Sequence, residues 1–274
     1  MDIRIVNTCN NNCIYCLEWS LRKKENFINT EIIYNKILKI YQREHITFYW
    51  WNPLLHPDLL EIIKKSKKLG YKNIGILSNS QTISKDLLWE LKNYWLSSIW
   101  IYFHTFDKSK HLLTNWGWIE LETLIFNLKV LKNSGLYFKI IIHINKQNIK
   151  TIWRDILILN SKFWVINFEF INYVPFGEAY NNRWLLQYKI EDNSNEINTL
   201  FYIIKSLKLQ VSFLKFNKEF FWIYNEYYDE QKAILNQIWE EDIEILEWNK
   251  TPKCFIEKRC EYCFLKHKCK WYGI

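Results

Sequence analysis

The sequence predicts an α/β fold. A parallel sheet of six βα units is wound into a partial (β/α)6 barrel of the TIM type, and a small cysteine-rich region follows it. Two observations carry this expectation. Short β-like runs alternate with amphipathic helical stretches from the N-terminus to Tyr173. A cysteine-bearing loop follows the first run and a Trp-Trp-Asn-Pro turn follows the second, so both lie at the C-terminal ends of strands, where barrels gather their chemistry.

The elements follow in order. Residues 3–7 form the first strand. Residues 30–42 are helical, with Thr30 as N-cap and Ile32, Ile33, Ile37, Leu38 and Ile40 on one face. Residues 46–50 are a second strand, and 57–69 a helix with Pro57 near its first position, where a missing N–H is tolerated. Residues 73–78 are a third strand, and Ser84 caps a helix running to Tyr94. Strands over 98–104, 137–144 and 165–173 alternate with helices over 120–132 and 149–159. Right-handed crossovers close such a series into a full or partial barrel, or leave it open and doubly wound.

Pro175 and Gly177 break the pattern. From Ser194 come a helix, a strand-like LQVSFL and a further helix around 230–245, ending in the cysteine-rich tail. The aromatic residues of 213–228 read as packed core rather than a groove. No long flexible linker intervenes, so the tail is expected to dock on the core. The division is 1–185 for the core and 186–274 for the C-terminal region.

Of the 274 residues, 49% are hydrophobic and 24% charged, which suits a globular protein and excludes disorder, collagen-like repeats and a disulfide miniprotein. The net charge of +8 is spread along the chain and reads as a solvated surface, not a nucleic-acid footprint. No stretch approaches the ~18 apolar residues of a membrane span. The opening MDIRIVNTC has no signal-peptide apolar region, so a cytoplasmic location without a membrane partner is expected. In that setting the seven cysteines suit metal ligation better than disulfides.

Cys9, Cys13 and Cys16 stand as C-x3-C-x2-C in the loop CNNNCIYC. Three thiolates on one short loop hold three corners of an iron–sulfur cube and leave the fourth iron open to an outside ligand. Open positions mark catalytic metal sites. A zinc site completed by a distant ligand, or unligated thiols, are the alternatives. Cys254, Cys260, Cys263 and Cys269 form a second group, C-x5-C-x2-C-x5-C, able to close an iron–sulfur cube or a zinc tetrahedron. His267, inside that group, reads as a surface residue.

With these residues in place, the chain resembles the radical S-adenosylmethionine (radical SAM) superfamily. FYWWNPLLHPDLLEII resembles the family's Gly-Gly-Glu-Pro segment and its continuation, and LSNSQTIS its Thr-Asn-Gly turn. FDKSKHLLTNWGWIELETLIFNLKVLKNSG and PFGEA also resemble family stretches, so the likeness covers residues 1 to about 180. The resemblance implies a catalytic [4Fe-4S] cluster on Cys9, Cys13 and Cys16, whose open iron binds the methionyl amine and carboxylate of S-adenosylmethionine. One electron from the cluster then cleaves the sulfonium to a 5′-deoxyadenosyl radical, which takes a hydrogen atom from substrate. It implies that residues 50–53 (Trp50, Trp51, Asn52 and Pro53) hold the methionyl end, that Tyr15 packs beside the adenine, and that Asn79 and His104 contact the cofactor, with Thr105 and Asn145 as weaker candidates. An electron donor such as flavodoxin or ferredoxin is implied too. The last three C-terminal cysteines resemble part of a SPASM-type tail, truncated so that it carries at most one auxiliary cluster, or zinc. Such tails occur on peptide-modifying enzymes, which makes a peptide or protein the expected substrate. Modification of RNA or of a small molecule, and a non-catalytic cluster-bearing scaffold, are the alternatives. Asn52 departs from the family's Glu: an amide accepts a hydrogen bond but lacks the charge. His56 reads as helix-entry structure, and His45, His111 and His143 as belonging to no constellation.

One feature of composition is abnormal. There are 15 Trp and 6 Gly, where a Gly content of about 7% would give about 19. The comparison of LGYKNIGI with YWLSSIWI aligns Gly70 with Trp95 and Gly75 with Trp100, and Trp164 falls at a junction like that of Gly135. Such junctions are left-handed helix ends that favour Gly. Trp50 and Trp51 replace the family's two glycines, and Trp116 and Trp118 flank Gly117. Some bacteria read UGA as glycine and others as tryptophan, so decoding with the wrong table would produce this swap. A protein that is simply rich in Trp is the alternative.

Overall fold

The computed structural model describes residues 2–16, 27–49, 52–115, 120–175, 177–216, 218–221 and 224–227. Trp50, Trp51, Trp116, Gly117, Trp118, the helix expected around 230–245, and Cys254, Cys260, Cys263 and Cys269 lie outside these residues.

Strands β1 (Asp2–Arg4), β2 (His45–Tyr49), β3 (Asn73–Ser78), β4 (Ser98–Phe103), β5 (Tyr137–Ile144), β6 (Asn167–Asn172) and β7 (Gln210–Leu214) form one sheet in sequence order. Every pairing is parallel. Because β1 and β7 are not paired, the sheet curls as an open partial barrel, in agreement with the expected fold class. LQVSFL is the source of β7, so the series extends one unit past the six strands read from the sequence.

The crossovers use α1 (Thr30–Leu38), α2 (Leu59–Lys68), α3 (Lys85–Asn93), α4 (Lys108–Asn115), α5 (Leu121–Ser134), α6 (Ile152–Phe163) and α9 (Ser194–Ser206). Two single-turn helices, α7 (Glu178–Asn181) and α8 (Arg183–Leu186), follow β6. Neither they nor α4 were visible in the periodicity, because each is too short or too polar to show a face.

The alternation of strand side chains sorts the sheet into two faces. Ile46, Phe48, Ile74, Ile76, Ile140 and Ile142 are fully buried in one core with the helices. Lys139 and His143 on β5 point to the other, concave face. There Lys139 Nζ pairs with Glu169 of β6 at 2.8 Å, and Ser212 of β7 donates to the same carboxylate at 3.3 Å.

Several helix ends differ from expectation. The N-cap of α1 is Asn29, whose Oδ1 accepts from Glu31 N at 2.8 Å. Thr30 instead donates its hydroxyl to Asp58 at 2.7 Å. The buried stripe of α1 is narrower than five residues: Ile33 and Ile37 are buried, while Ile32 and Leu38 are exposed. Pro57 precedes α2 rather than entering it, because His56 Nδ1 accepts from Asp58 N at 3.0 Å and Nε2 meets Ile28 O at 2.9 Å. His56 is therefore helix-entry structure. Ser84 caps α3 by accepting from Leu87 N at 3.1 Å. Phe213, Phe216, Phe220 and Phe221 are core, as the aromatic run suggested.

Candidate active site

The cysteine loop leaves β1 and is closed at its base by a bridge between Val6 and Phe27 and by Ile28 N donating to Ile5 O at 3.0 Å. It is held over the C-terminal ends of the strands by two backbone ties, to α4 and α7, and braced by one turn of its own. Ile14 N donates to Thr114 O at the end of α4 (3.0 Å), Cys16 N to Cys13 O (3.1 Å), and Glu178 N of α7 to Cys16 O (2.9 Å). Glu178 thus clasps the last cysteine. Ile14 and Tyr15 pack with Ala179 and Leu186 in a small second core.

Cys9, Cys13 and Cys16 are half-buried and in no disulfide. Side-chain amides face two of the sulfurs. Asn11 Nδ2 lies 3.0 Å from Cys13 Sγ, and Asn79 Nδ2 lies 3.7 Å from Cys9 Sγ. Among the described residues, no group of three or more His, Cys, Asp and Glu is gathered as one metal ion would require. A cube, by contrast, offers a separate iron to each thiolate. Three thiols on one loop, with N–H donors on the sulfurs, fit such a cluster in donor chemistry.

Asn10 joins the loop to the neighbouring strand ends. Its Oδ1 accepts from Asn52 Nδ2 at 3.1 Å and from Asn79 Nδ2 at 2.9 Å. Asn52 is fully buried. Its amide also approaches Thr82 Oγ1 at 3.4 Å, and its Oδ1 accepts from Ser78 at 3.0 Å. Pro53 begins a short 3-10 turn, Pro53–Leu55, and is buried. Asn79 is a turn residue as well, since its Oδ1 accepts from Gln81 N at 3.2 Å.

Tyr15 is turned inward. Its hydroxyl sits 2.9 Å from His104 Nδ1 and 2.6 Å from Nε2. Its ring stacks on His143 with centroids 4.8 Å apart. His111 of α4 lies 5.9 Å from His104, centroid to centroid. The expectation that His111 and His143 belong to no constellation is therefore corrected: His104 and His143, from strands far apart in sequence, meet one phenol, and His111 of α4 packs on His104 behind it. His45 stays apart at the start of β2, bonded to Thr47 at 2.8 Å. Burial, then the neighbouring imidazoles, holds His104 well below its ordinary range. Burial lowers His143 to about 3. Both rings are neutral at pH 7. The cavity beside Tyr15 and His143 measures about 10 Å³, room for one water and not for a nucleoside.

Thr105 is buried next to His104 and accepts from Asp107 N at 3.1 Å. Asn145 forms its own turn, accepting from Gln147 N at 2.9 Å. Asn10, Asn11, Asn115 and Asn148 were missed by sequence reasoning. The Asn triplet between Cys9 and Cys13 was the available signal for the first two.

A family profile described as the Radical SAM superfamily matches residues 3–157. The chain belongs to the radical SAM superfamily. Among curated proteins, this radical SAM enzyme is similar to the probable GTP 3′,8-cyclase of Saccharolobus islandicus, with 26% identity over 217 residues, 77% of this chain and 67% of that one. Its fold is similar to that of Streptococcus suis SuiB bound to the precursor peptide SuiA, with a TM-score of 0.60 and 16% identity over 96% of this chain. It covers only 56% of SuiB. Native anSMEcpe with bound AdoMet is also similar, with a TM-score of 0.63 and 15% identity over 99% of this chain and 87% of that one. No described helix is long and apolar enough to cross a membrane.

Proposed function

We propose that Cys9, Cys13 and Cys16 hold a catalytic [4Fe-4S] cluster and that the enzyme acts on a peptide or protein. When bound, the cluster supplies the electron for reductive cleavage of S-adenosylmethionine. The observation that carries this reading is the loop itself: three half-buried thiols pinned over the strand ends, with amide donors on two sulfurs. In this proposal α4 and α7 hold the loop in place, Asn10 and Asn79 fix its position on β3, and the Tyr15–His104 bond anchors it from below. Residues 50–53 meet the methionyl end, and Cys254, Cys260, Cys263 and Cys269 carry an auxiliary cluster or zinc in a SPASM-like tail of the C-terminal region 186–274, whose first part, α9 and β7, belongs to the barrel. A flavodoxin or ferredoxin delivers the electron. The peptide assignment draws on that tail and on the peptide-bound SuiB and anSMEcpe, which share the fold.

Anaerobic reconstitution tests the reading. The protein takes up iron and sulfide and releases 5′-deoxyadenosine with a reductant, and Cys13→Ala loses the N-terminal cluster and at least ~100-fold of that release. Uncoupled release without iron uptake at this loop rejects it. Incubation with candidate precursor peptides and with GTP separates a peptide substrate from a small molecule, the class named for the Saccharolobus relative.

One observation favours a second reading, a cluster-bearing scaffold that does not cleave the cofactor. Asn52 is buried with both its amide and carbonyl engaged inside the protein. Iron uptake with no 5′-deoxyadenosine supports that reading.

A further inference from the structure

We propose that Asn11 is a hydrogen-bond donor to Cys13 Sγ that raises the reduction potential of the N-terminal cluster, and that Asn115 holds it in position. This rests on the reading of Cys9, Cys13 and Cys16 as cluster ligands. Asn11 is 4% exposed and Asn115 fully buried. Asn11 Nδ2 is 3.0 Å from the sulfur and 3.2 Å from Asn115 Oδ1. Its own Oδ1 accepts from Asn12 N at 2.9 Å.

The orientation of this pair is determined by its partners. Asn115 Nδ2 donates to His111 O at 3.0 Å and lies 3.3 Å from His111 Nε2, which leaves its oxygen facing Asn11 at 3.2 Å and, less closely, Cys13 Sγ at 3.6 Å. A flipped Asn11 would set its oxygen against that oxygen and against the sulfur. The donor is therefore locked on Cys13. At Cys9 the corresponding amide is 3.7 Å away and has a closer acceptor in Asn10 at 2.9 Å, so that contact is the weaker one.

One-electron reduction by an external low-potential donor adds one negative charge to the cluster and its thiolates. A fixed N–H dipole on a thiolate, in buried surroundings, stabilises the reduced form more than the oxidised form. Asn11 is thus a positioning and tuning residue, not one that touches substrate.

The test is a redox titration of the reconstituted full chain, following the electron paramagnetic resonance signal that Cys13→Ala abolishes. Asn11→Ala loads iron and sulfide like the parent and shows a more negative midpoint. Asn115→Ala shifts in the same direction by less. An unchanged or more positive midpoint in loaded Asn11→Ala overturns the proposal. Should Asn11→Ala not load, an unchanged midpoint in Asn115→Ala overturns it in the same way. A parent chain that takes up no iron at this loop brings down the underlying reading, and the tuning role with it.

A separate observation supports a second inference: Trp95 and Trp164 occupy positions where the native polypeptide has glycine. Trp95 has φ 69° and Trp164 φ 59°, in the left-handed region, as do Gly70 at 93° and Gly135 at 69°. The ends of α2 and α3 superimpose in hydrogen bonding. Gly70 N donates to Lys67 O and Tyr71 N to Ser66 O, and likewise Trp95 N to Lys92 O and Leu96 N to Leu91 O. Lys208 ends α9 in the same conformation at 50°, so the position tolerates a side chain at a cost. Trp100 does not belong to this set: it lies inside β4, where its Cα pairs with Leu77 and Lys139, and Gly75 pairs with Ser98. The joint deficit of Gly and excess of Trp points to UGA codons read with the wrong table. Sequencing the gene and mapping peptides of the native protein over residues 93–108 and 163–183 decides it. UGA codons with glycine in both peptides are expected, and a UGG codon at either position overturns it.

Discussion

Asp155 is the residue whose chemistry conflicts most with its surroundings. It is 3% exposed on α6 and accepts from Phe106 N at 3.1 Å. Burial pushes its carboxyl up to about 6, against the pull of Phe106 N–H and the Thr105 hydroxyl. The fold therefore favours the neutral form. Between pH ~4 and ~6 the unfolded chain has lost a proton that the native chain keeps, so stability falls as pH rises through that window, by about 3 kcal/mol at most. Asp155→Asn retains an acceptor for Phe106 N and carries no charge. It is expected to match the parent in urea denaturation at pH 4 and exceed it at pH 7; an equal difference at both pH values would contradict the assignment. Trp95 presents a conflict of backbone rather than charge. A left-handed non-Gly residue costs about 1–2 kcal/mol, and Gly returns about 0.5–1 kcal/mol of that through the unfolded chain. Trp95→Gly is therefore expected to stabilise by about 0.5–1 kcal/mol, read as a higher urea midpoint.

At the scale of elements, the site is made by loops that tie strand ends together. Asn148 sits between β5 and α6 and is 2% exposed. Its Nδ2 donates to His104 O at 3.2 Å and His143 O at 2.8 Å, and its Oδ1 accepts from Asn145 N at 2.9 Å. One side chain thereby joins the ends of β4 and β5 beneath Tyr15. Asn148→Ala removes the side-chain partner of His104 O and Asn145 N, while His143 O keeps the Asn145 amide at 3.0 Å, and is expected to cost about 2 kcal/mol in denaturation experiments. A loss below ~1 kcal/mol would show that the ties are replaceable by water. The sequence offered no means of finding Asn148, because a strand-end Asn is equally a turn former. Ser84 was legible because capping is a local matter of three residues. Thr30 was misread because both it and Asn29 are good caps, and only the approach of Asp58 decides which one turns outward.

Across the whole molecule, β7 and α9 share one apolar core with β1 to β6. Phe213 is 3% exposed and packs on Phe170, Phe201 and Phe221 at centroid distances of 5.0, 5.4 and 5.3 Å. Phe213→Ala is expected to cost about 4 kcal/mol and to move the far-ultraviolet dichroism and tryptophan fluorescence transitions together. An early transition in one probe alone would mean that this edge unfolds by itself. The sequence by itself determined the βα series and the C-x3-C-x2-C loop at a strand end, since periodicity and spacing are local properties that survive without tertiary contacts. Tertiary structure alone decided which amide meets which sulfur and which imidazoles meet Tyr15. Asn11 and Asn115 are 104 positions apart, and Tyr15 and His104 are 89 apart. Only the parallel stacking of strands brings such residues to one rim, and only side-chain packing there aims their donors.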